Sequence, residues 1–435
     1  MSALLSRFLQ QLDAPPRFRW SGRVVQASGQ LVESEGPFCS VGETCSIMDS
    51  RGNSFPGEIV GFRGSTVLSM PLDAALGIRY GDRIVSTGVH PTVPVGDALL
   101  GRVIDGSGAP IDGKGGIRAF SRRRIEVAPP SPMDRTPIRD PISCGVRAVD
   151  SFLTCGRGQR MGIFGGSGVG KSTLIGMMAR GTSADLTVVA LVGERGREVR
   201  EFLEGSLGDE GMRRAVVVVS TSDQSPLLRL RAAYSATAIA EYFCEAGKHV
   251  LLVLDSITRL AMAQREVGLA AGEPPTAKGY TPSVFSMLAR LVERAGHMGH
   301  GSITGFYTVL MEGDDQMDPI VDAVRSLLDG HIFLDRRLTA EGHYPPINIL
   351  DSLSRLMPAV CAPEHLARVA ALRHLLAVYN RSEDLIRIGA YQKGSDPQLD
   401  RAIEVVPRIK EFLRQKASEL APFPATFSRL MELPS

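Results

Sequence analysis

The sequence predicts an α/β fold built on a parallel sheet, with a small β-rich domain before it and a helical domain after it. The main observation is a series of continuous apolar runs between residues 94 and 362, separated by helical stretches. Strands that are buried on both faces of a parallel sheet have such runs, whereas half-exposed strands alternate. Short β-branched runs precede this region, and a helical periodicity follows it.

Four parts of the chain are expected from these changes of pattern. Residues 1–20 carry a short amphipathic helix, which either packs on its own domain or docks a partner. Residues 21–93 form a small β-barrel, because short strands alternate there with Gly, Asn, Asp and Pro turns. Residues 94–362 form the α/β domain, and residues 363–435 form the helical domain.

Strands and helices alternate in the α/β part, which indicates a doubly wound sheet. The expected strands are RMGIFG, LTVVALVG, AVVVVS, HVLLVLD, SITGFYTVLM and HIFLD. The expected helices cover 171–180, 226–246, 282–295 and 319–329.

Composition narrows the class of protein. The 435 residues include 49 Lys and Arg against 47 Asp and Glu, and a net charge of +2 does not favour general binding to nucleic acid or membranes. The six cysteines form no C-x-x-C pair, so neither a disulfide scaffold nor a metal site is expected, and a reducing cytosolic compartment fits. We expect neither a signal peptide nor a transmembrane helix, since no apolar run approaches ~18 residues.

A glycine-rich loop joins the first apolar strand to a helix. RMGIF is followed by GGSGVGKST, which matches the phosphate-binding pattern G-x-x-x-x-G-K-[ST]. Glycines let backbone N–H groups point at phosphate oxygens, and the helix directs the positive end of its dipole at the same anion. Lys171 can reach the β- and γ-phosphates, and the Ser172 hydroxyl can ligate Mg²⁺. The residues expected to bind ATP are Gly165, Gly166, Ser167, Gly168, Val169, Gly170, Lys171, Ser172 and Thr173.

Two carboxylates end other apolar strands. Asp255 closes HVLLVLD, where an acid can hold the water shell of Mg²⁺ or cap the helix that begins at Ser256. Glu194 lies in LTVVALVGERGREV, where it either orients the attacking water and accepts its proton or is a solvated acid in a turn. The next residue, Arg195, can pair with Glu194 or with a neighbour's charge. Beside the phosphate loop, this pattern predicts a RecA-like, Mg²⁺-dependent ATPase.

Several ordered motifs resemble the type III export ATPases, which comprise the flagellar export ATPase and its injectisome counterpart. This family is similar in turn to the catalytic subunit of rotary ATP synthases. The resemblance covers nearly the whole chain. The motifs that carry it are GGSGVGKST, VGERGREVREF, LLVLDSITRLAMAQREVGLAAGEPP, GYTPSVFSMLARLVERAG, GSITGFYTVLMEGDDQMDPI and EGHYPPINILDSLSRLMP.

The resemblance implies a homohexameric ring with ATP at the subunit interfaces. Glu194 matches the family's catalytic carboxylate, and Arg195 follows it in the same motif. Arg355 in DSLSRLMP matches an arginine that reaches into the neighbour's site. The sequence without this resemblance would indicate only a charged surface residue at Arg355. Tyr344 in GHYPP matches the tyrosine that stacks on adenine, and the alternative is a half-buried loop tyrosine.

The resemblance also implies a role in protein export, through chaperone release and substrate unfolding at the cytoplasmic face of the inner membrane. The implied partners are a stator-like regulator, a stalk protein, export-gate components, export chaperones and cargo. FLDRRLTAEGHYPPINILDSLSRLMP and EDLIRIGAYQKGSDPQLDRAI are nearer the flagellar branch, and an injectisome ATPase is the alternative.

Two other classes of function compete with export. A hexameric RNA translocase of the transcription-terminator type would need a basic, aromatic RNA platform, and the barrel region has few aromatic residues. We therefore expect an assembly role for the barrel and no nucleic-acid partner. A rotary synthase subunit would require a second subunit type and a shaft.

Overall fold

The computed structural model describes residues 20–73, 77–119, 121–311, 313, 315 and 317–434. The amphipathic helix expected within residues 1–20 lies outside this part of the chain. The chain divides into two compact units, Met1–Pro91 and Thr92–Ser435. This division falls two residues before the expected boundary at 93/94, because the strand Thr92–Val95 pairs with Ser121–Arg124 in the second unit.

The first unit contains a closed six-stranded barrel, as the sequence predicted. The strands are β1 Ser21–Ser28, β2 Leu31–Glu35, β3 Thr44–Met48, β4 Ser54–Arg63, β5 Thr66–Pro71 and β6 Arg83–Ser86. Their order in the barrel is β1-β2-β5-β4-β3-β6, and β6 pairs with β1 to close it. Apolar side chains that alternate along the strands fill the interior, among them Val24, Val32, Ile47 and Ile59.

The second unit is built on a nine-stranded sheet. The strands of this unit are β7 Thr92–Val95, β8 Arg102–Asp105, β9 Ser121–Arg124, β10 Pro141–Ile142, β11 Cys155–Gly156, β12 Arg160–Gly165, β13 Leu186–Glu194, β14 Ala215–Thr221, β15 His249–Asp255, β16 Gly296–His297, β17 Ser302–Leu310, β18 Gly330–Leu334 and β19 Ile347–Ser354. The order in the sheet is β19-β18-β12-β17-β15-β13-β14-β8, and β16 pairs with β17. The six central pairings, from β18 to β8, are parallel, whereas β19 and β16 pair antiparallel with their neighbours in the sheet.

All six apolar runs of the α/β part are strands of this sheet, and helices occupy the four expected stretches between them. The sequence did not predict the two edge strands β8 and β19, because their polar residues interrupt the apolar pattern. The helices are α1 Arg147–Phe152, α2 Lys171–Gly181, α3 Gly196–Glu201, α4 Gly208–Arg213, α5 Pro226–Glu245, α6 Ile257–Ala271, α7 Pro282–Val292, α8 Pro319–Leu327, α9 Arg336–Ala340, α10 Met357–Val360, α11 Pro363–Arg387, α12 Pro397–Leu413 and α13 Phe423–Glu432, with a π-helical turn Phe202–Leu207 between α3 and α4.

The C-terminal helices share a core with the sheet. Leu372 of α11 and Val405 of α12 belong to the same buried cluster as Ile163 of β12 and Leu174 of α2. The helical domain therefore belongs to the same compact unit as the nine-stranded sheet. None of the helices in the described ranges is long and apolar enough to cross a membrane.

A close backbone contact fixes the helix that follows the phosphate loop. A Cβ atom at Gly176 of α2 would lie 2.5 Å from the carbonyl oxygen of Ser206. We expect Gly176→Ala to lower the free energy of unfolding by about 1–3 kcal/mol, because α2 and the π-helical turn must move apart. Denaturant unfolding monitored by circular dichroism measures this change.

Gly205→Ala is the matched control, since a Cβ at Gly205 meets no atom within 4 Å. That variant should stay within about 0.5 kcal/mol of the parent protein. Equal unfolding midpoints for the two variants would contradict the tight contact at Gly176.

Candidate active site

The glycine-rich loop follows β12 in the centre of the sheet, between β17 and β18. Gly168 and Gly170 have φ angles of 75° and 106°, a region in which a Cβ atom is strained and glycine is not. Lys171 begins α2, and its Nζ donates hydrogen bonds to the carbonyl oxygens of Gly165 and Gly166 at 2.8 and 2.5 Å. The ammonium therefore lies within the loop that precedes it.

A cleft of about 330 Å³ opens in front of this loop. The strand order places β12, β17, β15 and β13 side by side, so the residues at their carboxyl ends meet at one edge of the sheet. The residues lining the cleft include both predicted acids and six of the nine predicted phosphate-binding residues, but not Gly165, Gly166 or Val169. The full lining is Ser167, Gly168, Gly170, Lys171, Ser172, Thr173, Glu194, Arg195, Glu198, Asp255, Arg259 and Leu310.

Glu194 is a half-buried acid in this cleft and not a solvated turn residue. Burial, a hydrogen bond with Glu198 and the charge of Asp255 together raise the pKa of Glu194 to about 8, and Arg259 opposes them. Burial also lowers the pKa of Lys171, while Asp255 and Glu194 counteract that change. A carboxyl group with a pKa near neutrality can take up and release a proton under working conditions.

Two charged neighbours of Glu194 were not predicted from the sequence. Arg259 of α6 lies with its Nη1 3.5 Å from Glu194 Oε2, and the same nitrogen donates to the carbonyl oxygen of Gly193. Glu198 of α3 shares a hydrogen bond with Glu194, and this bond lowers the pKa of Glu198. Arg259 lies 65 residues after Glu194, so no local motif connects the two, whereas Glu198 follows Glu194 by only four residues within VGERGREVREF.

Asp255 is 4% exposed, and its Oδ1 accepts a hydrogen bond from the Thr308 hydroxyl at 2.6 Å. It does not cap α6, because the side chain of Ser256 accepts that bond from the Arg259 amide. Burial raises the pKa of Asp255, and a nearby cation would favour its charged form.

The donors in the cleft fit Mg²⁺. Ser172 supplies a hydroxyl and Asp255 a carboxylate, both hard oxygen ligands that line the same cavity. Within the described residues there is no group of three or more His, Cys, Asp or Glu suited to a metal. Mg²⁺ takes only one or two protein carboxylates beside phosphate and water, so these two donors suffice.

The two predicted arginines are not equally placed. Arg195 lines the cleft at the start of α3, and its Nη1 lies 3.9 Å from Glu198 Oε1, so its charged partner is Glu198 and not Glu194. Arg355 is exposed beyond the end of β19, where its amide donates to the Asp329 carbonyl oxygen at 3.0 Å. Arg355 is not among the described residues that line the phosphate cleft of its own chain.

Tyr344 lines a second cavity, of about 620 Å³, which adjoins the phosphate loop at Gly170 and Thr173. The tyrosine is 48% exposed, so its ring is available to a ligand. Residues 414–417 and Glu419, in the segment that follows α12, also line this cavity, and the sequence alone did not predict that they do. About 70 residues separate this segment from Tyr344, and only the packing of α11 and α12 brings the two together.

Comparisons with known proteins agree with this architecture. The ATP synthase alpha/beta family matches with its beta-barrel domain over residues 24–88 and with its nucleotide-binding domain over residues 145–354. The T3SS EscN ATPase C-terminal domain matches residues 361–432.

Similar proteins span almost the entire chain. The flagellum-specific ATP synthase of Bacillus subtilis is 52% identical, over 98% of this chain and 97% of that protein. The type 3 secretion system ATPase of Sinorhizobium fredii is 48% identical, over 95% and 92%. The structure of the assembled ATPase EscN from enteropathogenic E. coli is 44% identical and superposes with a TM-score of 0.90, covering 95% of this chain and 99% of that one. EscN has also been solved in complex with its central stalk EscO. The cleft, the fold and these similarities show that the chain is an ATPase and belongs to the type III export ATPases within the ATP synthase alpha/beta family.

Proposed function

We propose that this protein is the ATPase of a flagellar type III export apparatus and uses Mg²⁺-dependent ATP hydrolysis to release chaperones and unfold exported proteins. The observation that carries the chemistry is the convergence of Lys171, Glu194 and Asp255 in one cleft. The higher identity to the flagellum-specific relative than to the type 3 secretion relative supports the flagellar apparatus. An injectisome ATPase would share the same chemistry.

The phosphate loop binds the triphosphate of ATP. Its backbone N–H groups and the start of α2 face the β- and γ-phosphates, and Lys171 can turn from the loop carbonyls to the phosphate oxygens. Ser172 and Asp255 would hold Mg²⁺, which neutralises charge on the phosphates when it is bound.

Glu194 orients the attacking water and accepts its proton. Its raised pKa leaves the carboxylate basic enough for this step, since an efficient general base has a pKa close to the working pH. Arg259 and Glu198 limit the orientation of the carboxylate from either side.

We propose a homohexamer in which a neighbouring subunit completes each site. Arg355 is exposed and does not line the cleft of its own chain, so it is available to offset charge on the phosphoryl group bound by the neighbouring subunit. Tyr344 stacks on the adenine, and its exposed ring supports that role.

The proposed location is the cytoplasmic face of the inner membrane, with a stalk protein, a stator-like regulator, export-gate components, chaperones and cargo as partners. The EscN–EscO complex supports the stalk. RNA stimulation of the ATPase activity would favour an RNA translocase, and a required second subunit type would favour a rotary synthase.

Removal of the base tests the chemistry directly. We expect Glu194→Gln to bind ATP normally but to lose about 10²–10⁴ of turnover, because the amide cannot accept the proton. Steady-state hydrolysis and fluorescent-nucleotide binding measure the two effects. Glu201→Gln changes an exposed acid on α3 and should keep full turnover. Normal turnover in Glu194→Gln would remove this residue from the mechanism.

The pH profile tests the environment of Glu194. Because the base must be deprotonated and its pKa is about 8, kcat/KM should rise as pH increases through that value. Glu198→Gln removes a negative charge beside Glu194, lowers the pKa of Glu194 and should shift the rising limb to lower pH. The exposed Glu204 serves as control, and Glu204→Gln should leave the profile in place. An unchanged or upward-shifted limb in Glu198→Gln would contradict this electrostatic coupling.

Mixed rings test the neighbour's arginine. Arg355→Ala and Glu194→Gln proteins should each be inactive alone, the arginine change costing about 10³–10⁵ in rate. Mixing them creates interfaces with an intact Glu194 on one subunit and an intact Arg355 on the next, so activity should return. Replacing the Glu194→Gln partner by a subunit carrying both changes should abolish the recovery. If assembled mixed rings stay inactive, Arg355 does not act between subunits.

A further inference from the structure

The segment 414–419 is held against the nucleotide site by an arginine of helix α1. Arg147 is 4% exposed and lies more than 260 residues earlier in the chain than this segment. Its Nε donates to the carbonyl oxygen of Phe412 at 2.9 Å, and its Nη2 donates to the carbonyl oxygen of Arg414. Its guanidinium also forms an ion pair with the Glu419 carboxylate. Arg147 thus contacts both ends of the segment.

Gln415 links this anchor to Tyr344. Its side-chain Oε1 accepts a hydrogen bond from the Arg147 amide at 2.8 Å, and its Nε2 donates to the carbonyl oxygens of Gly145 and Glu419, each at 2.9 Å. Its own amide donates to the Tyr344 carbonyl oxygen at 2.8 Å. Since Gln415 is 3% exposed, its side chain is committed to these partners and not to a ligand.

A third contact comes from the helix of the phosphate loop. Arg180, near the end of α2, donates through Nη2 to the Ala417 carbonyl oxygen at 2.5 Å. The segment is therefore tied to α1, to α2 and to the residue that carries the exposed tyrosine ring. Residues 414–417 and Glu419 line the same cavity as Tyr344 and Gly170.

We propose that Arg147 is a positioning residue for the nucleotide, which fixes the 414–419 segment as a wall of the adenine cavity that Tyr344 also lines. This inference rests on the proposed adenine site. Arg147 itself touches no nucleotide; it acts through the backbone of the segment and through Gln415. The triphosphate end of the ligand is bound by other elements, so the effect of Arg147 is confined to the base.

Arg147 fixes the segment because burying a guanidinium without partners costs free energy. A buried charge is retained only where a carboxylate and several acceptors satisfy it, and here Glu419 and two carbonyl oxygens do so. The same contact holds the pKa of the Glu419 carboxyl below its usual range. Three acceptors in a fixed fork geometry specify one position of the segment, whereas apolar packing alone would allow it to slide.

The test compares a ligand that has a base with one that lacks it. In assembled enzyme carrying Arg147→Met, we expect the KM for ATP and the inhibition constant of ADP to rise about tenfold, a change typical of one lost contact. The inhibition constant of inorganic tripolyphosphate and kcat should each change by less than about twofold, because the phosphate loop is untouched. Arg147→Lys should restore part of the ADP affinity, since the ammonium keeps the charge but not the fork.

Arg368→Met is the matched control. Arg368 also donates to backbone carbonyls of the C-terminal region, those of Leu433 and Met431, but it lines neither cavity of the site. It should leave both inhibition constants unchanged. If Arg147→Met does not assemble, Glu419→Gln weakens the same anchor from its exposed side and should show the same selective loss of ADP affinity.

Three outcomes overturn the inference. Equal losses of ADP and tripolyphosphate affinity would mean a general structural role for Arg147, and an unchanged ADP affinity would mean no role at the site. Tyr344→Ala distinguishes a failure of the positioning role of Arg147 from a failure of the proposed adenine site. If Tyr344→Ala weakens ADP selectively and Arg147→Met does not, only the positioning role fails. If neither variant weakens ADP selectively, the adenine site itself is misplaced.

Discussion

The arrangement of charge at the carboxyl edge of one parallel sheet is the constraint on which the rest of this structure depends. Glu194 and Asp255 end two strands, Lys171 follows a third strand through the phosphate loop, and the strand order brings all three into a single partly dehydrated cleft. Dehydration raises the pKa of both acids and lowers that of the lysine. None of the three is at its lowest energy in this environment without a ligand of complementary charge. A triphosphate with Mg²⁺ would supply that complement, so the same charges that are costly to bury in the fold would favour the binding of this ligand.

Contacts from neighbouring elements hold both acids of the cleft in place. The Thr308 hydroxyl orients Asp255 from the neighbouring strand β17, and Arg259 bridges the Glu194 side chain and the Gly193 backbone. Gly176 lets α2 approach the π-helical turn that follows the helix of Glu198. The phosphate loop, α2 and the elements that follow Glu194 therefore belong to one continuously packed region.

The C-terminal helices are part of the site and not only an appendage to it. They share the buried core of the sheet, and the segment after α12 closes the cavity beside Tyr344. The family's C-terminal domain thus contacts the ligand-binding region directly through backbone carbonyls and one buried guanidinium. The shape of this cavity therefore depends on the position of one short segment of the C-terminal domain.

Local pattern was enough to determine the barrel, the six apolar strands of the sheet, the intervening helices and the phosphate loop, since each depends on periodicity or on a motif within a few residues. It also indicated Glu194 and Asp255, because an acid at the end of a buried parallel strand lies at the edge of the sheet where the phosphate loop begins. The edge strands β8 and β19 were not predicted, since pairing on one side only leaves no continuous apolar run. Arg259 and the 414–419 segment could be placed only by the tertiary structure. Their contacts join residues that are far apart in the chain, and hydrogen bonds between distant segments leave no period or spacing that encodes them.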